Sequence, residues 1–296
     1  MNRTLPLHNV GIRRLGLALL ALMGLSGLGL SFPAMAAPLQ VFVSILPQKY
    51  FVEHIGGKQV AVSVMVGPGQ SPETYEPTPR QMVALSQARL YFSIGVPFED
   101  TWMNRIRDAN PALRVVPMQR GIALLPLARP GGEPGGTDPH VWTSPRRVET
   151  MAATIRDALI ETDPAHRGDY ESNYRAFIAE LDALDRNIQS ILAPAKGKPF
   201  LVFHPAWGYF AKDYALRQIP IEAEGKEPGA KALARVIDFG REEGVKVIFV
   251  QEQFSRRTAA TVAAAIGARV VAVDPLAEDY PQNLLRVAHE FADSLK

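Results

Sequence analysis

The 296-residue chain contains no cysteine. Disulfides are therefore excluded, and a lipid anchor on a cysteine behind a leader is not expected. Stability has to come from burial. An excess of charge of one sign is missing too. Lys and Arg number 32 against 30 Asp and Glu, and three of the arginines, Arg3, Arg13 and Arg14, fall in the first 36 residues, which hold no acid. Without that segment the formal charge drops from +2 to about −1, which leaves no electrostatic footprint for nucleic acid or an anionic membrane. Long apolar runs are confined to Leu15–Leu30; no later stretch is apolar enough to span a bilayer. The region beyond residue 36 also lacks an H-E-x-x-H helix, a G-x-S-x-G elbow and a Walker A loop.

What is present begins with a leader. Basic residues, then the apolar run, then Ala34-Met35-Ala36 have the order of a secretory signal with an A-x-A cleavage pattern. Residues 1–36 are read as this signal, and the mature chain is expected to start near Ala37, soluble in the periplasm of a Gram-negative cell.

The mature chain alternates short apolar runs with helical patterns, which predicts βα units and mainly parallel sheets. Strands are expected at Leu39–Ile45, Val60–Val66, Leu90–Ile94 and Val115–Pro117, with helices between or after them. A second set of strands, Phe200–His204, Val245–Gln251 and Arg269–Asp274, is interleaved with helices at Ala230–Glu243, Arg257–Ile266 and Pro281–Leu295. Between the sets, Tyr170, Tyr174, Phe177, Leu181, Leu184, Ile188 and Ile191 recur at steps of four and three. That spacing puts them on one face of a helix over residues 164–192, about 40 Å long. The expected architecture is α/β: an amino-terminal lobe over 37–163, a linking helix over 164–193 and a carboxy-terminal lobe over 194–296. The segment Pro126–Thr137, containing PGGEPGG, is expected to be a flexible loop without a packed element.

Four potential metal-ligand side chains sit beside prolines at loop starts: Glu73 after Pro72, His140 after Pro139, His204 before Pro205 and Asp274 before Pro275. Two imidazoles and two carboxylates are a complete donor set for a first-row divalent ion. Proline restricts its own φ and the residue before it, so each flanking proline narrows the geometry of its loop. Each candidate taken alone has a plain reading, as a polar strand end, a helix cap, a turn or a solvated acid. Two precede the long helix and two follow it, so lobes facing across a cleft could each supply half of a coordination shell. A shell shared in this way favours closure on binding.

The chain resembles the metal-binding solute receptors of ABC transporters, the zinc/manganese cluster of periplasmic binding proteins. The carriers are SPETYEPTPRQM at 71–82, DPHVWTSP at 138–145, YESNYRAFIAELDALD at 170–185, FHPAWGYFAKDYAL at 203–216 and VVAVDPLAEDY at 270–280. The resemblance implies two α/β lobes joined by one long helix, with a divalent ion buried between them by one ligand from each of four loops. It implies an inner-membrane ABC permease as partner, and it implies neither enzymatic activity nor a membrane anchor after signal cleavage. A monomer is expected. By position the ligands are Glu73, His140, His204 and Asp274.

Glu73 departs from the family pattern, which has histidine there. Gln251 stands where glutamate is common, and the 126–137 loop lacks the family's histidines. An oxygen in place of nitrogen moves the donor set toward Mn²⁺ or Fe²⁺, while Zn²⁺ keeps the advantage over Mn²⁺ that N/O sites give it. Zinc is the expected ion, with manganese or iron as alternatives. Glu76 is expected to fix its loop, and Tyr75, Trp142, Trp207 and Tyr209 to wall the cleft. The competing readings are an exported metal-dependent hydrolase, which needs an open coordination position and a base, and a receptor for an organic solute.

Overall fold

In a computed structural model of the protein, residue 1 and residues 37–130, 134–222, 228–254 and 256–295 are described. All of the leader after residue 1 therefore lies outside the described residues, and the folded unit begins at Pro38. Its first half runs β1 (Leu39–Ile45), α1 (Leu46–Gly56), β2 (Val60–Val66), α2 (Pro79–Leu85), β3 (Leu90–Ser93), α3 (Pro97–Ala109) and β4 (Arg114–Pro117). A short hairpin, β5 (Pro126–Ala128) with β6 (Pro134–Thr137), precedes α4 (Pro145–Thr162) and the long α5 (Arg167–Leu192). The second half runs β7 (Pro199–Val202), α6 (Gly208–Asp213), β8 (Arg217–Pro220), α7 (Ala230–Glu242), β9 (Val247–Val250), α8 (Arg256–Ile266), β10 (Arg269–Ala272) and α9 (Tyr280–Ser294).

Each half builds a four-stranded sheet, ordered β2-β1-β3-β4 and β10-β9-β7-β8, and every pairing in both is parallel. Parallel strands need helical crossovers that cover both faces, so their interior strands read as near-continuous apolar runs. Leu-Tyr-Phe-Ser in β3 and Val-Ile-Phe-Val in β9 are buried at every position. The 26 residues of α5 give about 39 Å of helix. Its buried stripe of Tyr170, Phe177, Leu181, Leu184, Ile188 and Leu192 packs on α1, α4 and α9. Burying each such side chain contributes roughly 1.5–3 kcal/mol relative to leaving it in water.

One apolar core continues from the first sheet through the helix layer to Phe200, Val202 and Phe249 of the second. A separate core fills the other face of the second sheet, where Leu201, Ile248 and Val250 meet Val236 and Val262 of α7 and α8. The 126–137 segment corrects the expectation of an unpacked loop. Its two ends pair antiparallel as β5 and β6, with Leu127 buried; residues 131–133 lie outside the described residues. Glycine and proline there sit at an irregular, short pairing rather than preventing one.

Candidate metal centre

His204 follows β7 by two residues and projects from the carboxyl end of the second sheet, the edge where open parallel sheets bind ligands. Its backbone is clamped by Gln251 at the end of neighbouring β9: Nε2 donates to the His204 carbonyl at 2.9 Å and Oε1 accepts from the His204 N–H at 3.3 Å. An amide makes both bonds, whereas an ionised glutamate could not donate the first. Gln251 is thus a backbone clamp. Behind the ring, Nδ1 of His204 lies 2.5 Å from Oε1 of Glu222, which is fully buried. Phe254 stacks on the imidazole with ring centroids 4.7 Å apart and planes 18° apart.

His140 is built the same way from a different segment. Pro139 and the 3-10 turn Val141–Thr143 flank it, and Asp138 Oδ1 accepts from both its N–H at 2.9 Å and its Nδ1 at 2.7 Å. Asp138 is in turn fixed by α6. The Tyr209 hydroxyl donates to the Asp138 carbonyl at 2.7 Å, and a Cβ on Gly208 would stand 2.7 Å from Asp138 Oδ2, so only glycine lets the helix approach this closely.

With both Nδ1 atoms directed at carboxylates, the two Nε2 atoms face each other at 3.2 Å. Each imidazole donating through Nδ1 aims an Nε2 lone pair at the same small volume, and only a proton or a cation between them satisfies both. Oε1 of Glu73 joins them, 3.4 Å from His204 Nε2. Among the described residues these three are the group of potential ligands whose donor atoms all lie within 4.8 Å of one another. Ligand bonds of 2.0–2.1 Å at a tetrahedral zinc put neighbouring donors about 3.3 Å apart, which the two separations from His204 Nε2, 3.2 and 3.4 Å, match. The surrounding cavity of ≈ 20 Å³ is lined by Ser71, Glu73, His140, Trp142, His204 and Leu276, with Pro275 among its other walls.

Asp274 is not gathered with the other three. It stands two residues beyond β10, and among the described residues its carboxylate accepts at Oδ1 from the Leu276 N–H at 2.8 Å and Gln253 Nε2 at 3.4 Å. Burial raises its carboxyl above the ordinary range, outweighing these two bonds. The next residues, Pro275 and Leu276, do line the cavity, and Trp142 Nε1, another lining residue, donates to the Pro275 carbonyl at 2.8 Å.

Three expectations are corrected here. Trp207 and Tyr209 do not wall the cleft: Trp207 packs against Phe210 and Phe291, and Tyr209 acts through Asp138. Tyr75 packs on Phe98, so the aromatic walls of the cavity are Trp142 and Phe254. Glu76 is exposed; the loop is held by Gln81, which caps α2, accepts from the Tyr75 hydroxyl at 2.6 Å and donates to the Met65 carbonyl at 2.7 Å. Sequence reasoning missed Asp138, Glu222 and Phe254. The pattern Asp-Pro-His, with an acid two residues before a ligand histidine, is a local signal for the first.

Residues 41–295 match the family profile for ZnuA, the periplasmic component A of a zinc-uptake complex. A protein of Chlamydia trachomatis named "Putative metal-binding protein" is 30% identical over 257 residues, covering 86% of this chain and 91% of its own. The high-affinity zinc uptake system protein ZnuA of Bacillus subtilis is 29% identical over 251 residues, covering 80% and 78%. A crystal structure of ZnuA aligns with a TM-score of 0.82 at 43% identity, over 88% of this chain and 100% of that one. A deletion variant of ZnuA with zinc bound aligns with the same TM-score at 44% identity, over 88% and 98%. Two parallel sheets, a long helix and a metal-sized site at their carboxyl edges are the build of a metal-binding solute receptor of ABC transporters. The chain belongs to the ZnuA family.

Proposed function

We propose that this chain captures one divalent transition-metal ion, zinc before manganese or iron, and delivers it to an inner-membrane ABC permease from the periplasm. The observation that carries the reading is the pair of Nε2 atoms 3.2 Å apart, each ring fixed from behind by a buried carboxylate. Glu73, His140 and His204 are the proposed ligands, with Asp274 as the fourth on the strength of its loop, whose Pro275 and Leu276 line the cavity. The names carried by ZnuA relatives support zinc as the cargo. Residues 37–163 and 194–296 are proposed as the two lobes and 164–193 as the helix between them. Residues 1–36 are proposed as the export signal, leaving a monomer without an anchor.

The cavity favours this over an organic solute, because sites for such ligands run to roughly 300–1,000 Å³. With Asp274 as a fourth protein ligand the shell would be closed, unlike a hydrolytic centre, which keeps a position open for an activated water. The oxygen donors Glu73 and Asp274 favour manganese or iron as the runner-up ions. Native mass spectrometry of stripped protein titrated with Zn²⁺ and Mn²⁺ tests the proposal. One ion per chain, with zinc displacing manganese, is the expected result; no stoichiometric metal under either condition would overturn it.

A further inference from the structure

The loop that carries Glu73 treats the two oxygens of its carboxylate differently. Oε1 faces His204 Nε2 at 3.4 Å, while Oε2 accepts a hydrogen bond from the Ser71 hydroxyl at 2.9 Å. The same hydroxyl accepts from the Glu73 N–H at 3.3 Å, so Ser71 holds both ends of the residue. The loop itself is anchored elsewhere: the Pro72 carbonyl accepts from the Phe98 N–H at 3.1 Å, and Gln81 ties Tyr75 to the end of β2. Ser71 therefore bears on the orientation of one carboxylate more than on the path of the chain.

We infer that Ser71 is a positioning residue that makes Glu73 a one-oxygen ligand, and that it thereby sets the metal preference of the site. This rests on the metal reading above. A hydroxyl bonded to Oε2 keeps that oxygen turned away from the ion and fixes the carboxylate plane. Glu73 then contributes one donor, as a histidine would, and the shell stays small. Small shells of N and O donors suit tetrahedral zinc, whereas six-coordinate manganese gains when a carboxylate can chelate through both oxygens. Hydrogen bonding to a ligating carboxylate tunes the metal through its ligand. The departure from histidine at this position is in this way compensated by its neighbour two residues earlier.

The test compares wild type with Ser71→Ala and Ser71→Thr in metal-stripped full chain, using Zn²⁺ and Mn²⁺ competition and the visible spectrum with Co²⁺ in the site. Wild type is expected to show the intense absorption bands of four-coordinate Co²⁺. Ser71→Ala should weaken those bands and lower zinc affinity by roughly 10- to 100-fold, the usual cost of losing an outer-shell partner, with manganese affinity falling less so that the zinc-over-manganese preference drops. Ser71→Thr, which keeps the hydroxyl, should restore both. A weak, high-coordinate Co²⁺ spectrum in wild type would overturn the inference without any variant. So would a Ser71→Ala protein in which zinc and manganese affinities fall together, since that pattern belongs to a loosened loop. Wild type that binds none of the three ions would instead overturn the metal reading itself.

Discussion

The histidine side and the acid side of the centre are held in different ways. His140 and His204 are about 95% buried, and each has its Nδ1 within 2.7 Å of a carboxylate that is itself buried. Glu73 is held by one serine hydroxyl, and Asp274 by a backbone N–H and a glutamine amide that reaches 3.4 Å. The imidazole pair is therefore pre-organised for an ion, so its geometry costs little at the moment of binding. The acids sit on loops with fewer constraints, and they are where the choice of metal can be adjusted. His140 is also less a part of the first half than its position in the chain implies. Tyr209 of α6 bonds the Asp138 carbonyl, Ser144 and Arg147 contact Asp213, and Trp142 reaches Pro275. The two imidazoles thus form one block against the second sheet, and Glu73 approaches that block from the first.

The comparison breaks most simply at the rings. His204→Ala should cut zinc affinity more than ~100-fold, beyond the cost of losing an outer partner, as read by competition with a chelating dye. An effect no larger than that of Asp274→Asn would equate the two sides. Glu222→Ala should come next, at roughly 10- to 100-fold, because His204 loses the acceptor that fixes its tautomer and orientation. Circular dichroism is expected to show the fold intact in that variant. If its affinity matched wild type, the pre-organisation argument would lose its main support.

Acidification separates the sides by another route. Ligation needs neutral imidazoles and ionised acids, so protons compete with the metal. Asp274, whose carboxyl burial holds above the ordinary range, takes up a proton before an exposed acid does as the pH falls. Lowering the pH from about 7.5 to about 5 should therefore weaken zinc binding in wild type. The Asp274→Asn variant should show a shallower pH profile and only a few-fold loss near neutrality; equal profiles would remove Asp274 from the shell. Calorimetry at the two pH values reads both.

The parallel sheets, the long helix and the two histidines could be read from the sequence because each rests on a local pattern. β9 is a continuous apolar run and β1 is apolar at five of its seven positions, α5 has its four-and-three stripe, and the ligand histidines sit against prolines, His204 at a strand end and His140 in a turn leading to a helix. What escaped depends on neighbours in space. β8, Arg-Gln-Ile-Pro, is half polar and ends in proline, so it does not look like a strand until β7 is beside it. Missing β8 hid Glu222, which stands just past its end and 18 residues from the histidine it orients. The six-residue α6 is too short for a periodic signal, and its role depends on Gly208 letting it approach Asp138. The β5–β6 pairing was masked by glycine and proline, which weaken strand propensity without forbidding a short edge hairpin.

Anomalous diffraction at the zinc edge from zinc-loaded crystals locates the ion itself. The account predicts one peak about 2.0–2.2 Å from the Nε2 atoms of His140 and His204 and from Oε1 of Glu73, with both Nδ1 atoms still bonded to Asp138 and Glu222. A peak elsewhere, or ligation through Nδ1 with the carboxylate bonds broken, would contradict it.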